Sequence, residues 1–265
     1  MANNPMFNEA AFERAKKELK ENAETAVYPY ETADTVLRPR YESAPANAMT
    51  LQGTINKTFA LLFICLAGGW IGWTRLSASY GLLTLFALIA LGFGIWTSFQ
   101  PKVSPFTAPI YAILEGLILG GISAAYNVQY PGIVASAVGI TGLVFFIMLF
   151  IFKTGIIKVT QGFATAIVSA TAAIAILYIG SLLLSFFGVN TDYLTSSSPL
   201  SIGISVVVCI VAALNLMLDF QFINVMSSRG DAPKFMEWYA GFGLLVTIVW
   251  LYIEILKLLA KSKRR

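Results

Sequence analysis

The stretch Trp238 to Leu259, WYAGFGLLVTIVWLYIEILKLL, is about 20 residues of almost unbroken hydrocarbon character. At 1.5 Å rise per residue it crosses the ~30 Å apolar slab of a bilayer. Six further runs of this kind precede it, over Leu51–Trp73, Gly81–Phe99, Pro105–Tyr126, Pro131–Phe152, Phe163–Phe187 and Pro199–Met226. A chain immersed in hydrocarbon must satisfy its backbone polar groups internally, so runs of this length are read as helices. With 57% hydrophobic and 12% charged residues and a mean hydropathy of +0.73, the chain is expected to be an all-α membrane protein. The predicted architecture is a seven-transmembrane-helix bundle over residues 50–260, with a polar tail at 1–49 and a basic tail at 261–265. The last helix is hydrophobic all round except near Glu254, which suits burial, and it is expected to be central, surrounded by the other six.

The chain contains no histidine. This excludes Ser-His and Cys-His nucleophile pairs and HExxH zinc sites, which need an imidazole as base or ligand. A Ser-Lys dyad stays formally open, but no lysine lies mid-membrane beside a serine, so the chain is not expected to be an enzyme and no cofactor is expected. Any response to pH near neutrality falls to buried carboxylates. Cys65 and Cys209 both stand in apolar runs and are read as small core residues. The first 50 residues lack an apolar core, so no signal peptide is expected.

The amino tail carries eight acids against six bases, with Pro29, Pro39 and Pro45 breaking its periodicity. It is read as a largely disordered cytoplasmic segment. Asn8 to Asn22 could form a short helix, with Phe7, Ala11, Ala15 and Leu19 on one stripe. Thr50 looks like the N-cap of the first membrane helix. Gly116 and Gly120, at GxxxG spacing, would admit another helix backbone. Pro131 suits a first helical turn. The small residues of the fifth segment (Ala164, Ala166, Ser169, Ala170, Ala172 and Ala173) suggest a helix packed tightly inside the bundle. Gly188 to Ser198, with Asp192, is expected to be the longest loop. The bias of Arg38, Arg40, Lys57, Lys102, Lys153, Lys158, Arg229 and Lys234 places the amino terminus in the cytoplasm. Lys261, Lys263, Arg264 and Arg265 oppose that rule if the chain crosses seven times. Either the tail is carried across, the reading preferred here, or the last segment re-enters.

Three acids interrupt the apolar runs: Glu115, Asp219 and Glu254. An ionised carboxylate in a bilayer costs several kcal/mol unless it meets a partner or water, so each is a candidate functional residue. The competing reading of Glu254 is an acid that snorkels to the interface, with Lys257 one turn away. Glu115 could equally be bonded to hydroxyls of a neighbouring helix for packing alone. Asn215 and Asp219 stand at i and i+4, on one helical face.

The motifs LDFQFI (Leu218–Ile223) and LYIEILKLL (Leu251–Leu259) resemble the paired acidic motifs of the transmembrane Bax-inhibitor-motif family. In that family two aspartates on the last two membrane helices form a proton-sensitive site. PKVSPFTAPIYAILEGLILGGIS (Pro101–Ser123) is similar to its third helix. The resemblance covers residues 50 to 260, and the long polar tail looks like a feature of a bacterial branch. It implies a seven-helix protein of the bacterial inner membrane, acting as a pH-dependent calcium leak or, alternatively, as a regulator that binds and restrains a membrane-bound AAA protease. Asp219 matches the first aspartate and Glu254 takes the place of the second. Lys257 stands where a neutral residue is commoner, and Lys102 where the family has an arginine cluster, which makes it a candidate counter-ion.

Two carboxylates close together in low dielectric cannot both ionise cheaply, so one proton is shared and its loss comes with repulsion or cation entry. Two carboxylates with backbone carbonyls and water could also hold Ca²⁺ transiently. The expected function is therefore a cation leak, for Ca²⁺ before others, closed when Asp219 and Glu254 share a proton. The expected partners are membrane lipids, Ca²⁺, H⁺ and, in the alternative reading, the membrane-bound AAA protease, with no nucleic acid. An H⁺-coupled transporter would use the same acids. For Asp219 and Glu254 to meet, the chain needs a break between Arg229 and Gly243. Asp231 would be the N-cap and Pro233 in the first turn of a segment lying along the interface, and a bend at Gly241 and Gly243 would start the crossing near Ala240.

Overall fold

The computed structural model describes residues 48–77, 79–188 and 196–264. The short tail helix expected at Asn8 to Asn22, the disorder expected of the tail and most of the Gly188–Ser198 loop with Asp192 lie outside the described residues. Within them are seven helices long and apolar enough to cross a membrane: α1 Leu51–Arg75, α2 Tyr80–Phe99, α3 Ser104–Gln129, α4 Ile133–Thr154, α5 Gln161–Phe186, α6 Pro199–Arg229 and α7 Met236–Lys263. One 3₁₀ turn, Pro101–Val103, leads into α3. No strand occurs among the described residues.

Local chemistry sets several of the helix ends. The Thr50 side chain accepts the Gly53 amide at 3.0 Å, so the cap expected of it is present; such a bond contributes about 1 kcal/mol. Thr160 caps α5 in the same way through Phe163 N, two residues ahead of the expected start. At α6 the Ser198 hydroxyl takes the Ser201 amide, with Pro199 just inside. Gly155 and Gly230 end α4 and α6 at φ of 68° and 72°, the left-handed conformation that suits glycine. Pro131 does not open α4. Gly132 behind it also has positive φ, at 80°, so the two form a turn and the helix begins at Ile133.

Two hydrophobic clusters fill the interior, and α7 contributes to both. One gathers Leu216, Met217 and Phe220 of α6 with Ile133 and Ala137 of α4 and Leu251 and Leu256 of α7. The other joins Leu61 and Cys65 of α1, Ala108 and Ala112 of α3, and Leu245 and Val249 of α7. Accordingly α7 packs along α1, α3, α4 and α6, whereas α2 rests mainly on α3 and α5 mainly on α6. Over half of the most apolar window of α7 is buried, against 11% for α5. The small residues of α5 therefore do not line a tight interior: Ala166, Ser169, Ala172 and Ala173 are exposed.

The tightest contact lies between α1 and α3. A Cβ added at Gly116 would stand 2.1 Å from the Cys65 carbonyl oxygen, and one at Gly120 would stand 2.0 Å from that of Gly69. Gly72 faces Leu117 in return, at 2.1 Å. The GxxxG pair read in α3 thus meets glycines of α1.

The chain between α6 and α7 departs from expectation. A break is present, but it is the short turn 230–235 and not a segment capped by Asp231. Its Pro233 pairs with Ala48 in an isolated bridge, and Ala232 O accepts the Met49 amide at 2.7 Å. From Met236 the last helix runs without interruption to Lys263, through Gly241 and Gly243. At 28 residues it spans ~42 Å, which leaves no room for a re-entrant turn. Its far end stands beside the end of α3, with Arg264 Nε donating to the Tyr130 hydroxyl at 3.1 Å.

Candidate functional site

The α6–α7 hairpin sets the depth of every acid. Asp219 is ten residues before the end of α6, or ~15 Å from it along the helix. Its Oδ1 lies 3.8 Å from where a Cβ on Gly243 would stand, and the Thr247 hydroxyl is beside it. Glu254 is seven residues past Thr247, a further ~10 Å along α7. The expected Asp219–Glu254 pair is therefore not formed. Because α7 begins at Met236 and does not bend, its residues reach each depth earlier than a helix starting at Ala240 would. The same separation removes the Ca²⁺ site expected of these two acids. Among the described residues no cluster of three or more Cys, Asp or Glu side chains could hold a metal ion.

Glu254 has other partners. It is 1% exposed, so it does not snorkel. Tyr178 of α5 donates its hydroxyl to Oε2 at 2.9 Å, and Lys257 donates to Oε1 at 3.0 Å. The Lys257 ammonium also stands 5.0 Å from the centre of the Tyr178 ring. Glu254 thus fastens α5 to α7, and Lys257 balances its charge.

Asp219 instead shares its surroundings with Glu115. Both line an open cleft of about 860 Å³ between α2 and α3 on one side and α6 and α7 on the other, together with Tyr111, Tyr239 and Gly243. Glu115 is eleven residues into α3, ~16 Å from the helix end that lies beside the start of α7. The two acids therefore stand at one level, about half-way through a ~30 Å slab. Tyr111, one turn ahead on α3, lies against the Glu115 carboxylate. Asp219 Oδ2 is inaccessible and has no hydrogen-bond partner. Among the described residues no lysine or arginine lines the cleft.

The remaining residues singled out in the sequence lie elsewhere. Asn215 does not accompany Asp219: its Nδ2 donates to Thr171 of α5 at 2.8 Å and to Val211 O at 2.9 Å. Lys102 is exposed in the turn before α3, thirteen residues ahead of Glu115. That is too far for it to serve as counter-ion to any of the three acids.

Sequence reasoning missed Glu237, which is fully buried at the start of α7. Its Oε1 accepts the Thr50 amide at 3.0 Å and the Thr50 hydroxyl at 2.9 Å, and its Oε2 receives the Lys57 ammonium. Gly53 makes the space, since a Cβ there would fall 2.1 Å from Oε1. The carboxylate also faces the amino end of α1, where the helix dipole favours negative charge. The available signal was a base one turn and a half into α1, whose one other charge is the terminal Arg75, together with an acid in the first turn of α7.

A family model described as Bax inhibitor 1 like matches residues 4–264 of the chain. No curated protein matches it.

Proposed function

The chain belongs to the Bax inhibitor 1 like family, a multi-pass membrane protein, and from that premise we propose that it conducts cations through the cleft lined by Glu115 and Asp219. One observation carries this reading: two carboxylates from different helices line one open cleft at one depth, and among the described residues no lysine or arginine lines it. Such a site attracts cations and repels anions, and in surroundings of low dielectric the attraction is strong. Ca²⁺, which prefers oxygen ligands, suits it better than softer ions.

The sign of the pH dependence follows from the same chemistry. Protonated carboxylic acids are neutral and give a cation nothing to bind. Deprotonation at either position restores negative charge, so flux rises with pH. In this reading Glu254 anchors helices and carries no current.

The test is ion flux into liposomes that hold the purified protein and no other. Wild-type protein should admit Ca²⁺ at a rate that climbs with pH. Asp219→Asn and Glu115→Gln, which keep size and hydrogen bonding but cannot ionise, should each flatten that climb. Absence of flux from the wild type would favour the regulator of a membrane-bound protease. Unchanged pH profiles in both variants would remove the cleft as the pathway.

A further inference from the structure

Lys261 stands in the last turns of α7, only 8% exposed. Its ammonium donates to Ser205 Oγ at 2.7 Å and, at 3.4 Å, to the Ser201 carbonyl oxygen. Among the described residues no carboxylate lies within ion-pair distance of it, and the nearby acid, Glu254, is already held by Lys257 and Tyr178. A buried ammonium with one hydroxyl and one long carbonyl contact lacks the negative charge that buried cations normally meet.

A second observation points the same way. Ser201 is fully buried and its hydroxyl oxygen has no hydrogen-bond partner. It lies one turn from Ser205 on the α6 face that Lys261 touches. Ser201 also belongs to the first turn of α6, a helix of 31 residues whose amino end carries the positive pole of its dipole. Lys261 is 25 residues beyond Met236, or ~38 Å along α7, and so lies past the apolar slab in the headgroup layer.

The geometry points to a phosphate-oxyanion site between the start of α6 and the end of α7. Lys261 and the Ser201 hydroxyl are its donors, and the headgroup of an anionic phospholipid is its occupant. Such an anion supplies the charge that Lys261 lacks and accepts the hydrogen that the Ser201 hydroxyl otherwise leaves unused. Its bond to the protein spans two helices, so binding stabilises the fold.

The experiment is a thermal melt of the purified full-length protein in detergent, titrated with short-chain phosphatidylglycerol, with phosphatidylcholine of the same chain length, and with inorganic phosphate. Phosphatidylglycerol should raise the melting temperature saturably and phosphatidylcholine should not. The apparent affinity should fall about tenfold in Lys261→Met and about threefold in Ser201→Ala, and less than about twofold in Lys263→Met, whose lysine is exposed in the same turn. If Lys261→Met does not fold, Ser201→Ala decides. A Lys261-dependent rise with inorganic phosphate alone would support the site and make free phosphate its occupant. Equal effects of the two lipids, wild-type affinity in both Lys261→Met and Ser201→Ala, or an equal loss in Lys263→Met would overturn it.

Discussion

Glu254 and Tyr178 meet across the α5–α7 contact through a single hydrogen bond of 2.9 Å, and single residues of this kind are where the arrangement is most open to test. Replacing Glu254 by Gln keeps the volume but removes the charge that Lys257 neutralises. Because Lys257 is 38% exposed, water takes over part of its solvation. The loss should be about 1–2 kcal/mol, below the about 3–5 kcal/mol of a fully buried pair. Tyr178→Phe should cost about 1 kcal/mol. Denaturation of the two variants in detergent measures both effects, and the pH profile of cation flux should stay as in the wild type. That these acids are buried was legible from residue type alone, since a carboxylate within a long apolar run has few other readings. Which acids meet was not legible. It depends on how far α7 has risen when it passes Asp219, and the six residues 230–235 decide that. Reading Asp231 to Trp238 as an interfacial segment moved Glu254 to the level of Asp219, and the helix start at Met236 moves it away. Glu237 escaped notice because its partners, Thr50 and Lys57, are 187 and 180 positions distant.

Between elements, closeness is decided by glycine. Gly116→Ala would drive a methyl group against the Cys65 carbonyl, which belongs to a helix backbone and cannot turn aside. Either α1 and α3 separate or the helix distorts, at about 1–3 kcal/mol. Gly139→Ala and Gly142→Ala on α4 meet nothing within 4 Å. They should be neutral or stabilising by up to about 1 kcal/mol through helix propensity. Melting temperatures of the three variants side by side test the contrast. The GxxxG spacing of α3 announced this contact, and its other half, Gly68, Gly69 and Gly72, stood equally open in the sequence. The small residues of α5 misled, because a small side chain is as compatible with a lipid-facing surface as with a tight one. Only the packing separates the two, and it rests α5 mainly on α6.

Across the whole molecule, seven helices among the described residues are long and apolar enough to cross a membrane. Seven crossings would set the start of α1 and the end of α7 at opposite faces, despite the basic residues at both, and this is the expected outcome of a labelling test. A cysteine introduced at Lys158, in the turn after α4, and one introduced at Ser262, near the end of α7, should react with a membrane-impermeant thiol reagent from opposite sides. Reaction of both from one side would require that a helix fails to cross. Number and extent of the spans were legible in hydrophobic length, because hydrocarbon thickness imposes it. Which helices touch was not, because lipid and protein interior reward the same apolar surfaces.

The Thr50–Lys57–Glu237 clasp has a consequence in time. Its two sides come from the first and the last of the described helices, so α1 enters the membrane with Lys57 apart from Glu237 and waits through five further helices for that acid. Until then Leu61 and Cys65 also lack the α7 side of their cluster. The α1–α3 glycine contact can form early, but the two hydrophobic clusters cannot be completed before the end of α7 is made. The arrival of α7 supplies Glu237 to one end, Leu245 and Val249 to one cluster and Leu251 and Leu256 to the other. Chains halted before residue 236 should stay open to membrane proteolysis, and completed chains should become resistant within a single step.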